Sequence, residues 1–391
     1  MSNIEASLLI NEIFFSKTDL NGNIQFGNEV FTRICEFNLE DMQSRPHNIV
    51  RHPSMPKEVF KILWSYLESH KPVCSYVKNK TKNNKYYWVF ALVIPLEDGH
   101  LSIRVKPTSS SLKKISELYD KCSKVEQEVG GISGTLIKSI KALGYSSYSD
   151  FMIQSIVDEL KSRSEIIINN KDPNYEQHRE FLRHINKFCS LKEISKDINS
   201  LVEGLSKDFS TIKYVSISLL AMLEHYGAEA SPLRVIVESF STWSKDIQKI
   251  LQSFIGINKK FNASLDKVRF KISTYSLQNE MSDYFKEESN NKEYIDLLNM
   301  LSQSGQLESR ESLRDMKAIT RKFNNIFEKL QNSSLVMKVI KMNSRIEYGK
   351  LGQSDSNIES GIGNIDDFVN SISLKFKELD KYFSHIDKML N

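Results

Sequence analysis

The run Pro46-His47-Asn48-Ile49-Val50-Arg51-His52-Pro53-Ser54-Met55-Pro56 concentrates an amide, a guanidinium and two imidazoles between prolines. Proline fixes φ and pushes the residue before it toward extended backbone, so this run is a stiff loop and not a regular element. A rigid loop carrying Asn48, Arg51 and His52 suits contact with a polar or anionic ligand group. Its plainer role is a solvated surface loop, unless other elements bring an apolar wall against it. Trp64, Trp88, Tyr87, Phe31 and Met55 supply such a wall, and Asn28 and Asn79 add amides to that of Asn48. Flat aromatic walls, a few amide donors and a cation are what a large planar redox ring with a diphosphate tail requires. For the aromatic residues the alternative is ordinary core packing; for His52 it is a hydrogen bond to a nearby carbonyl.

The elements that must position these residues follow from local pattern. Phe15 to Phe31 reads as a strand, an Asn21-Gly22 turn, a second strand and the start of a helix. Val77 to Val89 and Leu101 to Val105 read as further strands joined by polar turns. From Leu112 through Ile115, Tyr119, Cys122 and Val129 the apolar spacing turns helical. The glycine-rich run 130–134 interrupts that helix; no Gly-Lys-Ser/Thr ending follows, so it is a flexible break and not a phosphate loop. Helical patterns then dominate, with breaks predicted at 169–174, 227–232, Gly256, 289–291 and 349–356. Leu313, Met316, Ile319, Phe323, Ile326, Phe327 and Leu330 mark one apolar stripe, as in antiparallel bundles.

With these pieces in place, residues from about 12 to 108 resemble a PAS domain, and within that superfamily the FAD-binding sensor domain of the bacterial aerotaxis receptor type. The resemblance is carried by Thr18-Asp19-Leu20, Asn28 with Phe31, the Pro46 to Pro56 string, Trp64, Val77-Lys78-Asn79 and Tyr87-Trp88-Val89. It implies an α+β fold: a PAS sensor domain over 1–111, with an antiparallel five-stranded sheet and flanking helices. Connector helices over 112–190 and an α-helical output or interaction bundle over 191–391 follow. It also implies FAD as cofactor, with Asn28, Phe31, Asn48, Arg51, His52, Met55, Trp64, Asn79, Tyr87 and Trp88 around it. Ser54 stands where the family has an acid, Val73 where it has a Trp, and the Pro95 to Leu101 hairpin is shorter.

A second, weaker resemblance lies in the helical region. Asn343, Ile346, Glu347 and Gly352 follow the order of the kinase-contacting hairpin tip of methyl-accepting chemotaxis receptors, which implies partner-binding there. A Gly at an ordinary helix end would explain Gly349 or Gly352 equally well.

Composition narrows the function classes. The 391 residues suffice for more than one core. Lysine and arginine number 53 against 49 acids, a net charge of +4, too balanced to argue for nucleic acid. No apolar run approaches the ~18–20 residues of a membrane span, and Met-Ser-Asn-Ile-Glu-Ala-Ser lacks a secretory pattern, so a cytoplasmic location without membrane insertion is expected. Cys35, Cys74, Cys122 and Cys189 are scattered, which suggests neither a disulfide framework nor a zinc site. No metal, nucleophile-elbow or phosphate-loop motif marks an enzyme. The expectation is a redox or oxygen sensor acting on a protein partner through its helices, the chemotaxis machinery being one candidate, and compatible with a homodimer. The alternative is a cofactor-free PAS and helical adaptor.

Overall fold

Alternation of side chains along five strands separates a face of the N-terminal sheet that carries Ser16, Asn79, Ser102 and Arg104 from a more apolar one. The computed structural model describes residues 4–173, 175–351 and 355–390. In chain order the sheet region comprises β1 (Ile13–Thr18), β2 (Ile24–Gly27), α1 (Glu29–Cys35), α2 (Leu39–Met42), a 3-10 turn (His47–Val50), α3 (Lys57–Glu68), β3 (Val73–Lys80), β4 (Tyr86–Pro95) and β5 (His100–Val105). The strands are ordered β2-β1-β5-β4-β3, and every neighbouring pair is antiparallel. Ser16 opposes Ser102, Arg104 opposes Ala91 and Asn79 opposes Tyr87, so these residues share one face. Phe15, Tyr76, Trp88 and Phe90 point to the other.

Two turns are crowded for an added Cβ. Gly22 adopts φ +81° between β1 and β2, and an added Cβ would lie 3.1 Å from the Trp64 ring. Gly99, at φ +158° in the β4–β5 hairpin, packs so closely on Thr18 that a Cβ would fall 1.9 Å from its carbonyl oxygen.

The helical elements are α4 (Ser111–Glu128), α5 (Thr135–Ala142), α6 (Tyr148–Asn169), α7 (Tyr175–Leu223), α8 (Ser231–Glu288), α9 (Lys292–Lys350) and α10 (Ser356–Leu390). Breaks fall where expected except at Gly256. There α8 runs on without interruption, because a single glycine costs a helix only about 1 kcal/mol.

The chain forms two compact units that do not follow the linear boundaries at 111 and 190. One consists of Met1–Asn186 with Asp266–Ser312, the other of Lys187–Leu265 with everything from Leu313 onward. In the first, α6 covers the apolar sheet face at β3: Tyr148 donates to the Cys74 carbonyl at 3.2 Å and Tyr76 to Glu159 at 2.7 Å. The end of α8 and start of α9 cover the β1–β2 side. Phe285 meets Phe15 edge-on at 5.0 Å, and Tyr294 stacks on Phe26 at 3.9 Å. The second unit is an antiparallel bundle. Phe254, Phe323 and Phe383 interlock in its core, Phe209 and Phe240 meet Phe368, and Ser195 hydrogen-bonds Asn258 at 2.7 Å.

Helices α1, α3, α4 and α5 of the first unit begin without a side-chain cap of their own. Glutamates distant in sequence do that work. Glu288 accepts from the Glu29 N–H, Glu126 from Lys57 and Glu58, Glu58 from Leu136, and Glu159 from Thr108 and Ser109 just ahead of α4. Each carboxylate satisfies orphan donors and sits at the positive end of a helix dipole.

Candidate functional site

A cavity of about 360 Å³ lies between the polar sheet face, α3 and the Pro46–Arg51 segment. Local sequence explains its walls. Against the expectation that the proline-punctuated run holds no regular element, His47–Val50 forms one 3-10 turn, which needs only i to i+3 bonds and fits between Pro46 and Arg51. Beyond it the chain runs along the edge strand, where Arg51 bridges to Asn79 and the His52 N–H donates to the Lys78 carbonyl at 3.2 Å. From α3, Phe60, Leu63, Trp64 and Leu67 face the sheet at helical spacing. Trp64, 36% exposed, closes the side near Asn21 and Gly22, where His100 meets it edge-on at 5.3 Å.

Of the expected ligand set, Asn48, Arg51, Trp64 and Asn79 line this cavity. Arg51 is half-buried, its guanidinium 4.1 Å over the Phe60 ring and donating to the Met55 carbonyl at 2.9 Å. Burial draws its pKa down from the ordinary arginine value.

The other six expected side chains do not line it, each for a geometric reason. Trp88 pairs with Lys78 across β3 and β4, and therefore points to the opposite sheet face, near Tyr119. Tyr87 is on the cavity side but lies in the core beneath. Phe31 is a layer further back, stacked between Phe14 and His47. Asn28 is turned away, accepting from the Phe15 N–H at 3.1 Å and donating to Glu288 at 2.7 Å. Met55 plugs the β3 edge, its sulfur accepting from the Lys78 N–H at 3.3 Å. His52 is held by Ser54, with Nδ1 2.8 Å from its Oγ, so the residue standing where the family has an acid serves the loop and not the cavity. Burial and the nearby Lys78 charge lower the His52 pKa to about 4.

Among the cavity residues outside the expected ligand set are His47, which the sequence placed on the stiff loop without a ligand role, and Ser102 and Arg104, which it did not single out. Arg104 is 6% exposed on a central strand. It donates from Nη1 to Ser16 Oγ at 2.8 Å and from Nη2 to His47 Nε2 at 2.9 Å, and lies 5.7 and 5.8 Å from the Phe14 and Phe31 ring centroids. Among the described residues no carboxylate pairs with it. Burial lowers its pKa to about 10, so it remains a cation. Because arginine can only donate, His47 Nε2 must present a lone pair, and the imidazole is neutral. Burial, then the Arg104 charge, hold the His47 pKa down at about 3. Beside this pair, the buried Ser102 hydroxyl has no hydrogen-bond partner among the described residues. The site therefore offers a buried cation, a spare hydroxyl and two amides within apolar walls.

In the second unit, Asn343 and Ile346 are exposed on α9, and Glu347 pairs with Lys350 at 2.7 Å. Gly352 lies outside the described residues. Helix α9 ends at Lys350 and α10 begins at Ser356.

A five-stranded antiparallel sheet with a cavity under its flanking helices defines a class: residues 24–104 match the family model of the PAS fold, and the N-terminal domain is a PAS domain. Over 109 residues the chain is 37% identical to the aerotaxis receptor of Escherichia coli (strain K12), an overlap of 27% of this chain and 22% of the receptor. The chain thus spans about a fifth of that relative. Solved structures that overlay include a PAS domain from Colwellia psychrerythraea, with 19% identity, 24% of this chain, 85% of the other and TM-score 0.23. The light state of the blue-light photoreceptor Aureochrome1 LOV gives 15%, 26%, 85% and 0.24. At those scores the overlays add no weight to the assignment. Among the described residues, no helix is long and apolar enough to cross a membrane.

Proposed function

We propose that the PAS domain holds a flavin, FAD, in this cavity, and that the chain relays redox or oxygen state to a protein partner by rearranging its helices. The observation that carries this is the combination of ring-sided apolar walls with Arg104 and the Ser102 hydroxyl, a buried cation and a buried donor left for a ligand to satisfy. A volume of about 360 Å³ is near the lower end of small-molecule sites, ~300–1,000 Å³. It suits the ring end of the cofactor and not the dinucleotide tail, for which Arg51 is the nearby cation. The relative's designation as an aerotaxis receptor supports a sensory role.

When bound, the flavin supplies reversible electron uptake, which changes charge and hydrogen bonding at its ring. The protein's part is to hold that ring edge. Arg104 and Ser102 would donate to its acceptors, Asn48 and Asn79 would orient it, and Trp64 would exclude water. The same strands reach the helices: β3 carries Tyr76 and β5 leads to Thr108 and Ser109, all held by Glu159 of α6. A displaced strand is felt at that carboxylate, biasing two helical arrangements without catalysis. Such a relay works in the cytoplasm.

An absorption spectrum of the purified full chain tests the proposal. The visible bands of oxidised flavin should be present, bleach with dithionite, and be depleted in Arg51→Ala and Arg104→Met variants whose circular dichroism is unchanged. Colourless protein from cells supplied with riboflavin would overturn it and leave the cofactor-free adaptor, which Ser54 and Val73 favour as departures from the family pattern.

A further inference from the structure

Helix α9 carries two apolar faces near its C-terminal end. Met337, Ile340 and Ser344 are buried in the bundle. Leu335, Val339, Met342 and Ile346 fall within an arc of about 60° on the opposite side, and are 62%, 52%, 58% and 49% exposed. A helix apolar on opposite sides is one that meets something on both. The spacing of four, three and four residues is that of a coiled-coil seam about two heptads long.

The flank of this stripe is a groove of about 680 Å³ between α9 and α10. Val369 forms its floor, and Met342 and Leu374, the latter 67% exposed, form its apolar walls. Its rim is basic: Lys338, Lys341, Arg345 and Lys377. Arg345 pairs with Asp366 and Lys341 donates to Asn370 at 2.9 Å. Lys338 and Lys377 are in no ion pair among the described residues.

We infer that this stripe and groove dock an acidic amphipathic helix of a partner protein. The inference rests on the proposed relay to a protein partner and gives that partner a surface and a charge. Charge selects the occupant. A second copy of the same face would bring Lys338 and Arg345 toward their own counterparts, whereas a helix with glutamates beside a leucine stripe neutralises them. A concave groove between two helices also matches a cylinder better than a flat lipid surface. From Leu335 to Ile346 the seam is about 17 Å long, three turns of partner helix.

The probe is a pair of synthetic helical peptides with one leucine stripe, flanked in one by glutamates and in the other by lysines, titrated by fluorescence anisotropy against the full chain. The glutamate peptide should bind at least tenfold tighter than the lysine peptide, and weaken as salt rises. Met342→Glu, and separately Lys338→Glu with Lys377→Glu, should each weaken it tenfold or more. All three positions are exposed, so circular dichroism should be unchanged. Equal binding of the two peptides, no binding of either, or indifference to Met342→Glu overturns the inference. So does concentration-dependent self-association abolished by Met342→Glu, which would assign the face to a second copy. Met342-dependent co-sedimentation with phosphatidylglycerol vesicles would overturn it in favour of a membrane surface. The flavin spectrum of the same preparation is independent: coloured protein that ignores the peptide sinks only this inference, and colourless protein that binds it sinks only the sensor.

Discussion

Arg104 shows how a strand can mislead. In His100-Leu101-Ser102-Ile103-Arg104-Val105 the alternation separates two faces, and a polar face is ordinarily the wet one. Here the polar face is the cavity, because α3 and the proline-rich loop cover it. Alternation reveals that two faces exist but not which is covered, so Ser102 and Arg104 were invisible while Asn48 and Arg51, stiffened by local prolines, stood out. Trp88 was misplaced by the same ambiguity, one residue from the cavity side. The neutral state of His47 has a measurable consequence. Its pKa is about 3 in the folded protein against an ordinary 6.5, so the unfolded chain binds a proton that the folded one refuses. Stability from this group is complete above pH 6.5 and is lost as pH falls from there toward 3. At pH 5 the loss is about 2 kcal/mol. His47→Gln keeps an acceptor for Arg104 and does not titrate. Urea unfolding at pH 8 and pH 5 should therefore show a pH penalty smaller by about that amount in the variant, and an unchanged penalty would refute the assignment.

At the level of elements, helix existence was plain from apolar spacing, and most ends fell at glycine or polar clusters. What holds the helix starts was not. Asn28 and Ser110 look like self-sufficient caps, yet neither side chain caps its helix, and Glu288 and Glu159 arrive from 260 and about 50 residues away. No local window contains such partners. Glu159 is the most heavily engaged, accepting from Thr108 N–H at 2.6 Å, Ser109 N–H at 2.9 Å, Ser109 Oγ at 2.5 Å and Tyr76 at 2.7 Å. Glu159→Gln replaces a charged four-way acceptor with an amide that must also find acceptors of its own. The expected cost is about 1–3 kcal/mol. Hydrogen exchange at Thr108 and Ser109 should accelerate while that at β1 is unaffected; protection retained at both amides would show that another group holds the junction.

For the whole chain, linear boundaries were the natural expectation, because connector and bundle patterns look alike once Leu112 has passed. Asp266–Ser312 belongs instead to the unit of the PAS domain, since Phe285, Tyr294 and Glu288 complete its β1–β2 side. A chain ending at Asn186 should therefore be destabilised by several kcal/mol, with Phe15 and Phe26 uncovered. Replacing 187–265 by a short turn and stopping after Ser312 should restore cooperative unfolding. Equal melting temperatures for the two shortened chains would contradict this account.

The stacking of Tyr294 on Phe26 also has a bearing on synthesis. Translation proceeds at roughly 5–20 residues per second, so the β2 edge leaves the ribosome some tens of seconds before the ring that covers it exists. During that interval the bare Phe15 and Phe26 rings face a crowded cell. Nascent chains of this protein should depend on holdase chaperones for a period set by the length of the intervening helices.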